Sequence, residues 1–293
     1  MYQIKNAHLT IDIAEIGAEI KAIKYDGLDL LHDSNPEYWN RSAPYLFPNI
    51  GTIKDKYTIF DGQKYPLTKH GFARDFAFAV IDKNDSSITL ELKANAETLK
   101  LYPFKFRFLT HYELKENQLL TKIKIINEDS KKMPFNFGLH PAFKIPFIEG
   151  TNFEDYRISF SEKINASVPT VLLDSGLIDW SKPITELKNI DEIILNHEDY
   201  KYDAIVIEPM PKGLIKLIAP NKSEIIVDAP DFKTLGIWTP YPKKAPFICI
   251  EPWIGYADGP MSNHEFNTKK DLIFLKPNEI WQTKFSYIFN IKK

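Results

Sequence analysis

The feature that most constrains this chain is alternation. In "LTIDIAEIGAEIKAIKY" (9–25), Leu9, Ile11 and Ile13 face one way while Thr10, Asp12 and Ala14 face the other. "SSITLELKAN", "LLTKIKIINE", "YRISFSEKI", "YDAIVIEP", "GLIKLIAP" and "EIIVDAP" repeat the pattern along the 293 residues. A period of two is that of a half-buried strand, and the separating Asn, Asp, Gly and Pro residues are those of turns. Asp61-Gly62 in "YTIFDGQKYPL" is the pair that a tight primed hairpin turn prefers. Helical signals are short: "NPEYWN" near Asn35, "NAETLKLYP" near Asn95 and "NIDEIILN" near Asp191. None has the length of a βαβ crossover, and no glycine-rich phosphate loop is present. The fold class is therefore all-β, a large antiparallel β-sandwich built as one domain over residues 1–293. "IPFIEGTNFEDY" is the irregular stretch where a second domain could otherwise begin.

Charge and cysteine content narrow the function classes. Lys+Arg is 37 against Asp+Glu 39, so no basic face for nucleic acid is expected. Cys249 is the only cysteine, so no internal disulfide forms, which fits a reducing cytoplasm. The N-terminal segment lacks the features of a signal peptide, and no apolar run is long enough to cross a membrane. The expectation is a cytoplasmic protein with no membrane or nucleic-acid partner.

Two histidines sit in apolar, glycine-flanked text: His70 in "LTKHGFARDF" and His140 in "FNFGLHPAFKIPF". A buried imidazole costs free energy unless its nitrogens find partners, so each is either a satisfied core residue or a working one. Their shared context raises the second reading. His140 stands between Gly138 and Pro141. His8 and His111 lie in strand patterns on a solvent face, whereas His32, His197 and His264 fall in polar loop text. In "APFICIEPWIGYADG", alternation puts Phe247, Cys249 and Glu251 on one face. An inward carboxylate there has its pKa raised by desolvation, as a general base requires, although a strand-end glutamate tied to a donor would look the same. Trp238, Trp253 and Tyr256 could form a sugar-stacking wall or core. Asp203 opens a strand that Glu208 closes, and either could face a groove. Lys54, Lys69, Arg74 and Lys144 flank these segments, where they contact hydroxyls or a phosphate, or are simply solvated.

Taken together, "LFPNIGTIKDKYTIFDGQKYPLTKHGFARDF", "PFNFGLHPAF", "YDAIVIEP" and "LGIWTPYPKKAPFICIEPWIGYADG" resemble the aldose 1-epimerase (galactose mutarotase) family, in its LacX-like branch. The resemblance spans nearly the whole chain, in order. It implies a galactose mutarotase-like β-supersandwich and an isomerase that interconverts the α and β anomers of an aldose such as galactose or glucose. No metal and no organic cofactor are implied. By the same resemblance Glu251 is the general base at the anomeric hydroxyl, and His140 is the general acid at the ring oxygen. His70 polarises the sugar near that oxygen, and Asp203 holds hydroxyls. Many members carry an arginine where this chain has Thr52, which cannot reproduce a guanidinium. Lys54 or Arg74 then compensates, with Trp238 as a wall, and the partner is a monosaccharide, free or as a hexose 6-phosphate. The chain acts as a monomer or homodimer. Three other classes are open from the residues alone: a non-catalytic sugar sensor, a glycoside hydrolase using Asp203 and Glu251, and a metal enzyme using His70, His140 and Glu251. The last lacks any closely spaced histidine pair.

Overall fold

Alternation resolves into antiparallel pairing. In the strand Phe106–Lys115 every second side chain is buried, and Gln118–Asn127 runs back beside it from Lys115 opposite Gln118 to Phe106 opposite Asn127. The computed structural model of the protein describes residues 1–292. These two strands lie within a nine-stranded sheet. Its order is Ile178–Ile194, Arg157–Val171, Ile215–Ile218, Glu224–Asp228, Ile280–Asn290, Gln118–Asn127, Phe106–Lys115, Ser87–Lys93 and Ala79–Lys83. A six-stranded sheet packs against it. That sheet runs Ile205–Ile207, Thr234–Trp238, Phe247–Ile254, Phe137–Leu139 and Tyr45–Leu46, with Ala142–Lys144 also paired to Phe247–Ile254.

Aromatic side chains fill the space between the sheets. Tyr45 lies 5.4 Å from Phe108, Phe137 lies 5.4 Å from Trp281 and Phe143 lies 5.4 Å from Tyr287, ring centre to ring centre. Removing each such ring from water contributes about 1.5–3 kcal/mol. One apolar cluster extends from Ile4 to Phe289.

Phe247–Ile254 is the strand that positions the site. It is buried along its whole length. Ile248, Ile250 and Ile254 enter the inter-sheet core, while Phe247, Cys249 and Trp253 belong to separate clusters on the other face. A strand buried on both faces reads as a continuous apolar run. Glu251 is its one charged residue, on the second face between Cys249 and Trp253.

Local signals fared unequally. Asp61 and Gly62 take φ of 48° and 76° and join Thr58–Phe60 to Gln63–Tyr65, as a type I′ turn requires. Asn95 caps the helix Ala96–Leu101, accepting from the Glu97 and Thr98 N–H groups while the Thr98 hydroxyl closes a capping box. Of the other two helical expectations, the first comes down to a single turn and the second is overturned. "NPEYWN" is a turn in which the Tyr38 and Trp39 N–H groups donate to the Asn35 carbonyl. "NIDEIILN" lies in the strand Ile178–Ile194, paired with Arg157–Val171 from Val171 opposite Ile178 to Arg157 opposite Ile194. Long-range pairing there outweighs a short helical spacing of isoleucines. "IPFIEGTNFEDY" is pinned by Tyr156, whose hydroxyl accepts from the Phe147 and Ile148 N–H groups at 3.0 and 2.9 Å.

Candidate active site

His70 occupies a strained turn. It takes φ of 68°, and Gly71 takes 69°. His70 N–H donates to the Gly51 carbonyl at 2.9 Å, and Gly51 N–H donates to His70 Nδ1 at 3.1 Å. Because Nδ1 accepts, the neutral ring carries its proton on Nε2 and offers it as a donor.

His140 follows the short strand Phe137–Leu139. Trp39 stacks on its ring at 4.5 Å and 29°, with Trp238 and His70 edge-on at 5.7 and 5.3 Å. His140 Nε2 lies 3.2 Å from Glu251 Oε2. Both side chains are buried, and His140 Nδ1 and Glu251 Oε2 complete no hydrogen bond within the protein. Trp253 lies flat across the sheet beside them: a Cβ on Gly236 would stand 2.5 Å from its indole, and one on Gly138 2.8 Å.

These groups open onto a cavity of about 400 Å³, within the roughly 300–1,000 Å³ range of small-molecule sites. Glu251, His140, His70, Asp203, Arg74 and Trp238 all line it. Lys54 does not: its Nζ donates to the Ser262 carbonyl at 3.2 Å. Glu208 is turned to Lys270 at 3.1 Å, so Asp203 is the carboxylate of its segment that reaches the cavity. Thr52 is likewise absent from the lining; its Oγ1 would stand 2.6 Å from a Cβ on Gly176, in the tip of the long Arg157–Ile194 hairpin. That tip supplies Val171, Gly176 and Ile178 as a wall.

Sequence reading missed Trp39 and Arg41, which also line the cavity. Trp39 is held by His32, whose Nε2 lies 2.9 Å from the Trp39 carbonyl, and His32 stacks on Phe247 at 4.2 Å. His32 and His197, which fall in polar loop text, are both buried. The adjacent tryptophan and arginine in "EYWNR" were the available signal.

Burial sets the charge state. It pushes Glu251 well above the usual carboxylate range, with Asp203 adding to the rise and Lys69 opposing it. It holds His140 and His70 well below an ordinary imidazole, helped in both by Arg74 and Lys69, and in His70 also by His140. His32 is lowered for the same first reason. These shifts predict acid sensitivity. The unfolded chain protonates its imidazoles near 6.5, which the folded protein resists, so their contribution to stability is intact above that value and lost as pH falls below it. Glu251 acts with the opposite sign, its contribution being present at low pH and lost as pH rises. Thermal melting from pH 7.5 to 5 should therefore show a falling Tm, and the decline should be steeper in Glu251→Gln. A flat or rising Tm would contradict the assignment of neutral buried imidazoles.

His140, Cys249 and Glu251 also bring three donor atoms within 4.8 Å of one another. Burial, with the Glu251 charge beside it, pushes the Cys249 thiol up.

The sequence profile of the aldose 1-epimerase family matches residues 1–288. The plasmid-borne protein LacX of Lactococcus lactis subsp. lactis is 34% identical over 263 residues, 87% of this chain and 88% of LacX. The crystal structure of a galactose mutarotase related enzyme from Lactobacillus acidophilus superposes with a TM-score of 0.93 at 33% identity, over 99% of this chain and 97% of that one. A galactose mutarotase-like protein from Lactobacillus casei gives 0.89 at 30% identity over 99% of both chains.

Proposed function

The chain belongs to the aldose 1-epimerase family, in its LacX-like branch, and from that premise we propose that it is a mutarotase, opening and reclosing the ring of an aldose such as galactose or glucose. The observation that carries this reading is the 3.2 Å approach of His140 Nε2 to Glu251 Oε2 inside a buried cavity shared with His70.

Ring opening takes a proton from the anomeric hydroxyl O1 and delivers one to the ring oxygen. Glu251 as carboxylate takes the first, and His140 as imidazolium gives the second. The outcome is a protonated Glu251 and a neutral His140, the state that burial favours for both groups. Reclosure after rotation of the aldehyde reverses both transfers. The pair thus needs one proton in total and exchanges none with solvent during turnover, which suits a site walled by tryptophan. His70 Nε2–H donates to the ring oxygen as it gains basicity. Asp203 accepts from sugar hydroxyls, and Trp238 and Trp253 bound the ring. The strand Phe247–Ile254 holds Glu251, and the turns and strand ends beside it hold His70, His140 and Asp203, which together supply the positioning.

The test is NMR exchange spectroscopy on equilibrated glucose and galactose and on their 6-phosphates. At least one sugar should exchange anomers faster than in buffer, and the acceleration should disappear in Glu251→Gln. Tight sugar binding with anomer exchange at the buffer rate would replace this reading with that of a sugar-binding protein.

A further inference from the structure

Lys69, Arg74 and Arg41 supply the cavity's positive charge. Arg41 is already engaged: its Nη1 donates to the Arg74 carbonyl at 2.8 Å, and its Nη2 pairs with Asp75. Arg74 is not. It donates one N–H to the Lys69 carbonyl at 2.6 Å, its nearest carboxylate (Asp75) is 4.0 Å away, and its Nε is buried without a partner. Lys69 makes no ion pair among the described residues. Two cations therefore line the cavity with no carboxylate within hydrogen-bonding distance, one of them with a buried donor unused. A neutral sugar offers them only hydroxyls.

Their position says where on the substrate an anion would lie. Lys69 directly precedes His70, the Arg74 guanidinium rests on the Lys69 carbonyl, and the His70 ring lies 5.3 Å from that of His140, so both cations belong to the imidazole side of the cavity. On the mutarotase reading, on which this inference rests, those imidazoles flank the ring oxygen. That oxygen is bonded to C1 and C5 only. C1 must keep a free hydroxyl, since ring opening begins by deprotonating it. An anionic group beside the ring oxygen must therefore hang from C5, on the exocyclic C6. We propose that the substrate is an aldohexose bearing an anion on C6, specifically a hexose 6-phosphate, with Lys69 and Arg74 binding the phosphate and Arg41 bracing Arg74 from behind. A phosphate carries about −1.5 to −2 charge at pH 7, against −1 for the carboxylate of a uronic acid, and so matches two free cations better. Its three oxygens also accept the fork of N–H donors that a guanidinium presents.

The experiment measures enzymic anomer exchange, each sugar against its own buffer rate, for glucose, galactose, their 6-phosphates, glucuronate and galacturonate. The kcat/KM of a 6-phosphate should exceed that of its parent hexose by about 100-fold, as two charge-assisted contacts imply. Added salt should erode that ratio, and Arg74→Gln and Lys69→Met should each lower it roughly tenfold. Lys69 is exposed, so its variant keeps the test valid if Arg74→Gln fails to fold. A ratio near one, or a ratio unmoved by Lys69→Met, overturns the phosphate subsite. Uronates outpacing 6-phosphates overturn it in favour of a carboxylate. If no sugar is accelerated, the mutarotase reading itself fails, and titration calorimetry then judges the subsite alone: a 6-phosphate binding at least tenfold more tightly than its parent supports it, and equal affinities overturn it.

Discussion

Glu251→Gln lowers kcat for anomer exchange by about 10³-fold, leaves KM within a few-fold and does not lower Tm at pH 7.5. The amide has the size of the carboxylate and can still hydrogen-bond a sugar hydroxyl, so binding survives. It cannot accept the O1 proton, and a positioned general base contributes roughly 10²–10⁴-fold, so 10³-fold corresponds to about 4 kcal/mol of barrier. The stability half follows from burial. Glu251 is 1% exposed and its pKa is pushed up chiefly by that burial. A raised folded pKa is a stability contribution present at low pH and lost as pH rises, so at pH 7.5 the carboxyl burdens the fold and a neutral amide removes the burden. A variant that is inactive and melts no lower is the signature of a group retained for chemistry. Exchange within tenfold of wild type would remove Glu251 from the role of base. A large fall in Tm would mark it as structural.

What could be read from the sequence divides along the range of the interactions. Features set within a few residues were legible. Alternation placed Cys249 and Glu251 on one face, and Asp61-Gly62 gave the hairpin because both φ angles are positive. Features set by distant pairing were not. "NIDEIILN" has helical spacing, yet its partner strand lies some thirty residues upstream and decides the matter. Trp39 reaches the His140 surroundings through contacts made across the fold, among them the His32 ring, packed against Phe247, which meets its carbonyl. Lys54 stands two residues from Thr52, but the chain turns at once through Asp55 and Lys56 at φ of 53° and 62°, and its amine ends on the Ser262 carbonyl. For Lys54, unlike Lys69 and Arg74, nearness along the chain was a poor guide to nearness in the cavity, because its long side chain follows a carbonyl supplied from elsewhere.

Gly71→Ala destabilises the protein by roughly 3–5 kcal/mol, lowers Tm by roughly 5–10 °C and reduces kcat more than the folded fraction explains. Gly71 takes φ of 69°, where any side chain is strained. A Cβ would overlap the Phe47 carbonyl and stand 2.7 Å from the Pro48 nitrogen, both backbone atoms that cannot rotate aside. The same carbonyl accepts the Phe72 and Ala73 N–H groups at 3.0 and 3.2 Å, so displacing it breaks two hydrogen bonds. The disturbance then reaches the chemistry by two routes. Upstream, His70 loses the turn that lets its Nδ1 accept from Gly51 N–H, and with it the tautomer that presents Nε2–H. Through Phe47, the strand Tyr45–Leu46 shifts against Phe137–Leu139, where Leu46 lies opposite Gly138 and Leu139 leads directly into His140. Both imidazoles are thus registered from one carbonyl. The measurement is thermal melting together with anomer exchange at a temperature where the variant is fully folded. Activity intact in a folded but destabilised variant would show that the turn serves stability alone, and an unchanged Tm would show that Phe47 moves aside at no cost.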